Sequence, residues 1–192
     1  MIGSHTRVDV VVAGGGIAGA TLACALITAG LRVVVIEPRT APTWHSKEYD
    51  LRVIAINLAS ENILTALGVW LEIQRKRVSQ FQQIEIWDES SSGKLSFDAA
   101  DAGLNHLGHI VENTAVTTTL HEKLEQPDVI DLHYGTSVAQ WTANDNQVMV
   151  TTDTNKVIEA RLLIGADGAL SHVRETAGIG LRERPYHHTA IV

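Results

Sequence analysis

The sequence predicts an α/β protein that begins with a parallel βαβ unit and continues into antiparallel β insertions. Residues 8–12 and 32–36 form two runs dominated by β-branched side chains, which is typical of strands buried on both faces of a parallel sheet. Between them, the Ala- and Leu-rich residues 17–29 predict a helix that ends at Gly30. Later segments alternate apolar with polar residues, which is typical of antiparallel strands with one solvated face.

Composition limits the size and the class of the protein. The chain has 192 residues, of which 45% are hydrophobic, so it can bury the core of one ordinary domain, and a disordered chain is not expected. The net charge is -7, which argues against a nucleic-acid partner because such proteins carry a basic face. The single cysteine, Cys24, lies among small apolar residues and is predicted to be an inert packing residue.

The apolar run from residue 8 to residue 36 is not predicted to cross a membrane or to act as a targeting segment. Gly14, Gly15 and Gly16 interrupt it, and Gly30 and Arg32 interrupt it again. A strand, a glycine turn, a helix and a second strand explain the same residues better than a spanning helix does.

The remaining elements follow from periodicity and from turn residues. Ser60 is predicted to cap a helix over residues 60–67, and Asn113 is predicted to open a helix over residues 114–124. Residues 81–97 predict a hairpin around the turn 90–94. The other predictions are short antiparallel strands at 129–134, 137–142, 148–152 and 157–159, a buried strand at 162–164, and a short helix at 171–177.

The turn after the first strand carries the pattern G-x-G-x-x-G. Gly14 allows the tight turn, Gly16 lets the backbone approach a pyrophosphate, and Gly19 lets the helix pack closely on the strand. Ile17 and Ala18 form the start of the helix, where free N–H groups and the positive end of the helix dipole favour phosphate. These five residues are predicted to bind the pyrophosphate of a dinucleotide.

Glu37 ends the second strand 23 positions after Gly14, where its carboxylate can accept hydrogen bonds from ribose hydroxyls. A carboxylate at this position would repel a ribose 2′-phosphate, so the ligand is predicted to be FAD or NAD rather than NADP. The motif alone leaves that choice open. The rest of the chain favours FAD, because only one βαβ unit is visible before the pattern turns to hairpins. Asp167, at the end of a late strand, is predicted to lie near the same pyrophosphate.

The segment Asp167, Gly168, Ser171 and Arg174 has the form D-G-x-x-S-x-x-R. Together with the glycine motif, it resembles the FAD-dependent aromatic-ring monooxygenases, the class that includes 4-hydroxybenzoate hydroxylase. Residues 50–57, 107–113 and 164–169 are similar to the ubiquinone-biosynthesis hydroxylases of the UbiH/UbiF/VisC type. The resemblance runs from about residue 8 to residue 192 and implies a Rossmann-like FAD-binding domain.

The resemblance also implies roles for individual residues. Arg52 matches an arginine that reaches the phosphate and ribityl region of FAD, and Asn113 matches a polar residue that touches ribityl or phosphate oxygens. Asn113 is at the same time a plausible plain N-cap. Asp167 matches the residue near the pyrophosphate, and Arg39 is expected near the adenosine end. Arg174 is expected to fix its loop through a carboxylate, and no side chain is assigned as a catalyst.

The activity that the resemblance implies is hydroxylation of an aromatic or quinol ring in ubiquinone biosynthesis. In that family a flavin C4a-hydroperoxide transfers the hydroxyl group, and NADH or NADPH is the expected electron source, directly or through a partner reductase. The implied substrate is a phenol or quinol with a polyprenyl tail, and a multi-protein ubiquinone-synthesis assembly is an expected partner. The expected location is the cytoplasm, with peripheral contact to the inner membrane.

The family's later G-D motif does not occur in the chain, and relatives run to about twice its length. The chain is therefore expected to be an N-terminal fragment that ends before the rest of the substrate domain. The predicted segments are a first FAD-binding part (7–75), a β-hairpin insertion that contributes to the substrate domain (76–110), a second FAD-binding part (111–180) and the start of a substrate-domain strand (181–192). Two alternatives stay open: another FAD-dependent oxidoreductase, or a truncated, non-catalytic binding or assembly module.

Nine histidines raise the question of a metal site. His106 and His109 are three positions apart, and His187 and His188 are adjacent. No cysteine or carboxylate pattern completes either pair in the sequence, so no metal site is predicted.

Overall fold

The computed structural model describes residues 6–125 and 130–189. The chain forms two compact units, the first made of the described residues up to Pro42 and from Leu120 onward, the second running from Thr43 to Thr119. The helices are α1 (Ile17–Thr28), α2 (Leu58–Ala66), α3 (Trp70–Gln74), α4 (Asn113–Leu124) and α5 (His172–Thr176). The strands are β1 (Thr6–Arg7), β2 (Val10–Ala13), β3 (Val33–Glu37), β4 (Val53–Asn57), β5 (Val78–Phe81), β6 (Gln83–Trp87), β7 (Lys94–Asp98), β8 (Gly108–Glu112), β9 (Ile130–Tyr134), β10 (Val138–Ala143), β11 (Val148–Thr152), β12 (Val157–Ala160) and β13 (Leu162–Gly165).

A four-stranded parallel sheet forms the centre of the first unit, in the order β13-β2-β3-β9. Every residue of β2 and β3 is buried, as continuous β-branched runs require. Helix α1 connects these two strands, and its buried residues are small ones such as Gly19, Ala20 and Ala23, which allow close packing on the sheet. The predicted βαβ unit is confirmed.

A second sheet of the first unit has the order β1-β12-β11-β10. Strands β10, β11 and β12 are antiparallel, as the sequence predicts, and β1 pairs in parallel with β12. The inner faces of the two sheets share one apolar core: Val8, Val11, Val34, Ile36, Val148, Val150, Ile158 and Ala160.

The second unit contains a three-stranded antiparallel sheet, in the order β4-β8-β5, and the separate hairpin β6–β7. The hairpin confirms the prediction for residues 81–97. Helices α2 and α3 and a short 3₁₀ helix, Ala100–Ala102, also belong to this unit. Helix α4 begins in the second unit and ends in the first.

The prediction of an antiparallel strand at 129–134 is wrong. Residue 129 lies outside the described residues, and β9 runs parallel to β3, with Val33 opposite Ile130. Among the described residues β9 is an edge strand of the parallel sheet, and its alternating burial belongs to that position. Alternation therefore reflected an edge position here rather than an antiparallel pairing.

Two smaller predictions also need correction. The helix predicted at 60–67 begins at Leu58, and its cap is Asn57, whose side-chain oxygen accepts the Ser60 N–H at 2.9 Å. The strand predicted to be buried at 162–164 is in place beside β2, but Leu162 is 51% exposed.

Residues 181–189 form no helix or strand, and residues 190–192 lie outside the described part of the chain. The two compact units break at other positions than the four segments predicted from the sequence, and that functional division stays a prediction. Among the described residues, no helix combines the length and the apolar character needed to span a membrane.

Candidate dinucleotide-binding site

The glycine motif forms the turn between β2 and α1, and two of its glycines are required by packing. Gly14 has a φ of +102°, and a Cβ there would overlap the carbonyl oxygen of Ala166. A Cβ on Gly19 would overlap the carbonyl oxygen of Gly14. Both positions therefore exclude any side chain, as predicted.

Gly16 differs from the other two, because a Cβ there would meet no atom within 4 Å. It is the N-cap of α1, with φ -64° and ψ 180°, and no side chain caps the helix. The first turn, where Ile17 is half-buried and Ala18 is exposed, has no acidic residue. An open space at an uncapped helix N-terminus is suited to a phosphate group, so the residues fit the pyrophosphate of FAD.

Glu37 is buried at the end of β3, and both of its carboxylate oxygens accept hydrogen bonds from backbone N–H groups. Oε2 accepts the Gly15 N–H at 2.6 Å, and Oε1 accepts the Arg39 N–H at 3.0 Å. A carboxylate has about four acceptor sites, so two remain for ribose hydroxyls. Glu37 therefore also holds the glycine turn in shape, a role that the sequence did not reveal.

His121, in the last turn of α4, holds the other side of the same peptide unit. Its Nε2 lies 2.6 Å from the Gly15 carbonyl oxygen, and because a carbonyl only accepts, Nε2 is the donor. Its Nδ1 lies 2.7 Å from the Tyr134 hydroxyl, and the two rings stack at 5.5 Å. Burial, followed by the charges of Glu125 and Glu37, raises the pKa of Tyr134 above its usual value.

Asp167 lies directly beside the glycine turn, since a Cβ on Gly14 would also stand 2.9 Å from the Asp167 backbone nitrogen. Its carboxylate accepts the Ser171 hydroxyl and, at 3.1 Å, the Val173 N–H. Burial acts to raise the pKa of Asp167, but these hydrogen bonds outweigh it and hold the pKa below its ordinary value. The D-G-x-x-S spacing thus builds a bonded loop against the turn.

Ser171 also caps α5 by accepting the Arg174 N–H at 3.0 Å. The expectation that Arg174 fixes its loop through a carboxylate is wrong: within residues 6–125 and 130–189, no acidic side chain pairs with it. Arg39 is exposed, and its backbone N–H donates to Glu37 while its carbonyl oxygen accepts the Gly135 N–H.

In the second unit, the pairing of β4 with β8 brings Arg52 and Asn113 together. The Asn113 N–H donates to the Arg52 carbonyl oxygen at 2.9 Å. Asp50 joins the two segments, because its carboxylate accepts the Arg52 N–H at 2.9 Å and the Thr114 N–H at 3.0 Å. The Arg52 side chain is exposed, and its positive charge acts on the nearby Asp50 carboxylate.

Asp50 therefore holds the start of α4, next to the predicted cap Asn113. Burial acts to raise the pKa of Asp50, but the backbone N–H groups and the Arg52 charge lower it below the ordinary value. Sequence analysis did not assign this role to Asp50. An aspartate shortly before a strand carries no local signal for a helix that begins more than sixty positions later.

Glu112, at the end of β8, anchors the loop that precedes Arg52. Its carboxylate accepts the Trp44 Nε1–H at 2.6 Å, the Asp50 N–H at 3.2 Å and the Arg77 Nε–H at 3.0 Å. Arg77 also donates to the carbonyl oxygens of His45 and Ser46, at 3.0 and 2.9 Å. Burial raises the pKa of Glu112, but the hydrogen bonds and the Arg77 charge outweigh it, so the net shift is downward.

The structure thus places the predicted site residues in two sets, one in each unit. The set in the first unit consists of Gly14, Gly16, Ile17, Ala18, Gly19, Glu37, Arg39 and Asp167. The set in the second unit consists of Arg52 and Asn113.

Comparison with known proteins identifies the family. A family model described as an FAD binding domain matches residues 7–190. The chain is 35% identical over 185 residues to 3-demethoxyubiquinol 3-hydroxylase of Escherichia coli K12, covering 96% of this chain and 47% of that protein. It is 34% identical to ubiquinone hydroxylase UbiL of Rhodospirillum rubrum, covering 99% of this chain and 44% of that protein. The chain spans about half the length of the curated relatives it matches.

Solved structures have the same fold. PqsL of Pseudomonas aeruginosa, described as a probable FAD-dependent monooxygenase, superposes with a TM-score of 0.76 over 94% of this chain and 48% of that one, at 22% identity. The p-nitrophenol 4-monooxygenase PnpA of Pseudomonas putida gives a TM-score of 0.74 over 90% of this chain and 44% of that one, also at 22% identity. Because the family model matches nearly the whole length of the chain, the chain belongs to the FAD binding domain family.

Proposed function

We propose that this chain is the FAD-binding part of an FAD-dependent monooxygenase that hydroxylates an aromatic or quinol ring in ubiquinone biosynthesis. The main observation in support of FAD binding is the open space at Gly16, next to the uncapped start of α1. The two curated relatives described above, both hydroxylases named for ubiquinol or ubiquinone, support the substrate class.

The residues of the first unit bind and orient the cofactor. The N–H groups at the start of α1 donate to the pyrophosphate, and Glu37 accepts from the ribose hydroxyls of the adenosine half. Arg52 and Asn113 contribute a positive charge and a polar side chain to the ribityl and phosphate side. When bound, FAD supplies the oxygen-transfer chemistry, and the protein supplies binding, orientation and exclusion of water.

Finer statements on the electron source, the substrate, the location and the partners belong to the same proposal. The electrons come from NADH or NADPH, and the substrate is a phenol or quinol with a polyprenyl tail. The protein acts in the cytoplasm, in peripheral contact with the inner membrane and in a ubiquinone-synthesis assembly. The names of the curated relatives support the substrate, because ubiquinol is a quinol, and a water-insoluble substrate of this kind favours a place at the membrane surface.

The substitution Gly16→Val tests cofactor binding. Its added methyl groups would occupy the space that the pyrophosphate needs, while the backbone conformation at Gly16 is open to any residue. We expect the wild-type chain to bind FAD at micromolar concentration, and the variant to raise the dissociation constant at least tenfold, about 1.4 kcal/mol. Titration with FAD, followed by flavin absorbance and fluorescence, measures both.

Gly180→Val is the matched control. A Cβ at Gly180 also meets no atom within 4 Å, and Gly180 is outside the glycine turn. This variant should bind FAD as the wild type does. Equal FAD affinity in the Gly16→Val variant, or no binding by the wild-type chain and by a longer version that covers its relatives' full length, would contradict the proposal.

A further inference from the structure

A cluster of three side chains in the second unit has the composition of a metal site. Glu61 lies in α2, His106 lies in the loop before β8, and His109 lies in β8. One ligand atom from each lies within 4.8 Å of the others. The premise behind the expectation of no metal is thereby corrected: a carboxylate does complete the His106–His109 pair, and it comes from a helix 45 positions earlier than His106.

The distances suit a small divalent cation. Glu61 Oε2 lies 2.9 Å from His106 Nε2 and 3.3 Å from His109 Nδ1. Around a tetrahedral zinc ion with bonds of about 2.0–2.2 Å, neighbouring ligand atoms lie roughly 3.3–3.6 Å apart. Small side-chain shifts would bring the three atoms to that spacing.

The second observation is a buried nitrogen without a partner. His109 Nδ1 makes no hydrogen bond, although the His109 side chain is 94% buried and this nitrogen faces Glu61 Oε2. An unsatisfied polar atom in such a place costs free energy, and a bound cation would satisfy its lone pair. The rings of Trp70 and His106, at 5.1 and 4.7 Å, pack edge-on against the His109 ring and hold its orientation.

We propose that Glu61, His106 and His109 bind a divalent transition-metal ion, with zinc as the best match to two imidazoles and one carboxylate. Three protein ligands leave a fourth position for water, on the side where Glu61 and His106 are 17% and 20% exposed. The ion would fasten α2 and the loop of His106 to β8, the strand that leads to Glu112 and Asn113.

Zinc alone is the probe, and the full chain without added histidine tags is the sample. We expect one zinc ion per chain by equilibrium dialysis and by calorimetry at neutral pH, with a dissociation constant in the micromolar range or below. Cobalt(II) should give the visible absorption bands of a four-coordinate site. Glu61→Gln and His106→Asn should each raise the dissociation constant by roughly a hundredfold, since even changes to groups behind the ligands cost 10–100-fold.

The control variant is His133→Gln in the first unit. His133 Nε2 lies 2.7 Å from Asp131, but within the described residues no third ligating side chain joins this pair. The control should keep the zinc affinity of the wild type. His106 lies in a loop, so His106→Asn is not expected to disturb a helix or strand. This variant therefore tests the proposal even if Glu61→Gln alters folding. Absence of zinc binding at 100 micromolar, or unchanged affinity in the His106→Asn variant, overturns the proposal.

Discussion

At the scale of single residues, the three glycines of the motif are required for different physical reasons. Gly14 and Gly19 are excluded from carrying a side chain by the protein's own carbonyl oxygens, whereas Gly16 borders open space. The first two are needed for the turn to form, whereas the proposed role of the third is to leave space for a ligand. Sequence analysis predicted all three, because the motif records both requirements.

His121 illustrates what the motif does not record. Its hydrogen bond to the Gly15 carbonyl joins residues 106 positions apart, and nothing in the local sequence of α4 indicates that partner. We expect His121→Ala to weaken FAD binding roughly tenfold, about 1.4 kcal/mol, because the Gly15 peptide loses the donor that holds its carbonyl. A fluorescence titration with FAD measures the change.

The variant His121→Gln separates positioning from general damage. The glutamine amide is a donor of similar reach and should restore most of the FAD affinity. Equal affinities of the Ala variant and the wild type would show that the Glu37 contact alone holds the turn.

At the scale of elements, local pattern predicted the two strands buried on both faces, the hairpin β6–β7 and the antiparallel strands β10, β11 and β12. Strands β2 and β3 are continuous β-branched runs, and α1 is framed by glycines, so their assignment needed no tertiary information. Strands β4 and β8 were not assigned as strands, because only their resemblance to a family drew attention to them. Strand β9 was misplaced, because an edge strand of a parallel sheet alternates like an antiparallel one.

The charged Glu112 carboxylate, just before α4, anchors the loop before Arg52. The contribution of Glu112 to the stability of the protein therefore depends on pH. The folded-state pKa of Glu112 lies below its ordinary value of 4.5. The contribution of Glu112 is therefore complete above pH 4.5 and is lost as the pH falls through the lower, folded-state pKa. Asp50 and Asp167 shift in the same direction and add to the same acid sensitivity.

We expect Glu112→Gln to lower the free energy of unfolding at pH 7 by roughly 1–3 kcal/mol, since the amide cannot accept from Trp44, Asp50 and Arg77 together. The difference from the wild type should shrink below pH 4. Urea unfolding at a series of pH values measures it.

Glu85→Gln, at an exposed position, is the control for the loss of one negative charge. Glu85 pairs with Lys94 at 2.8 Å on the surface of the hairpin, and such pairs contribute little to stability. A pH-independent difference between the Glu112→Gln variant and the wild type would refute the linkage.

At the scale of the whole molecule, the hairpin β6–β7 exposes one apolar face. Cross-strand pairing places Ile84 opposite Phe97 and Ile86 opposite Leu95, and their exposed fractions run from 40% to 53%. Polar side chains such as Glu85 and Ser96 occupy the other face. An apolar face of this kind favours association between copies of the chain.

We expect the chain to self-associate reversibly with rising concentration, as measured by sedimentation velocity. The double variant Ile86→Lys with Leu95→Glu should raise the dissociation constant at least tenfold, because it places an opposite-charge pair in the middle of the apolar face. Ser96→Lys, on the polar face, should leave association unchanged. Equal association of the double variant and the wild type would rule out this face.

Val10 in β2 pairs with Leu162 in β13, so β2 is synthesised well before the strand that pairs with it. Strand β13 leaves the ribosome about 150 residues after its neighbour β2, an interval of roughly 8–30 seconds at typical rates of translation. During that interval one edge of a wholly apolar strand has no partner, and such an edge invites incorrect pairing. This edge of β2 is covered only once Leu162–Gly165 emerge, and the glycine turn acquires its Ala166 neighbour only after that.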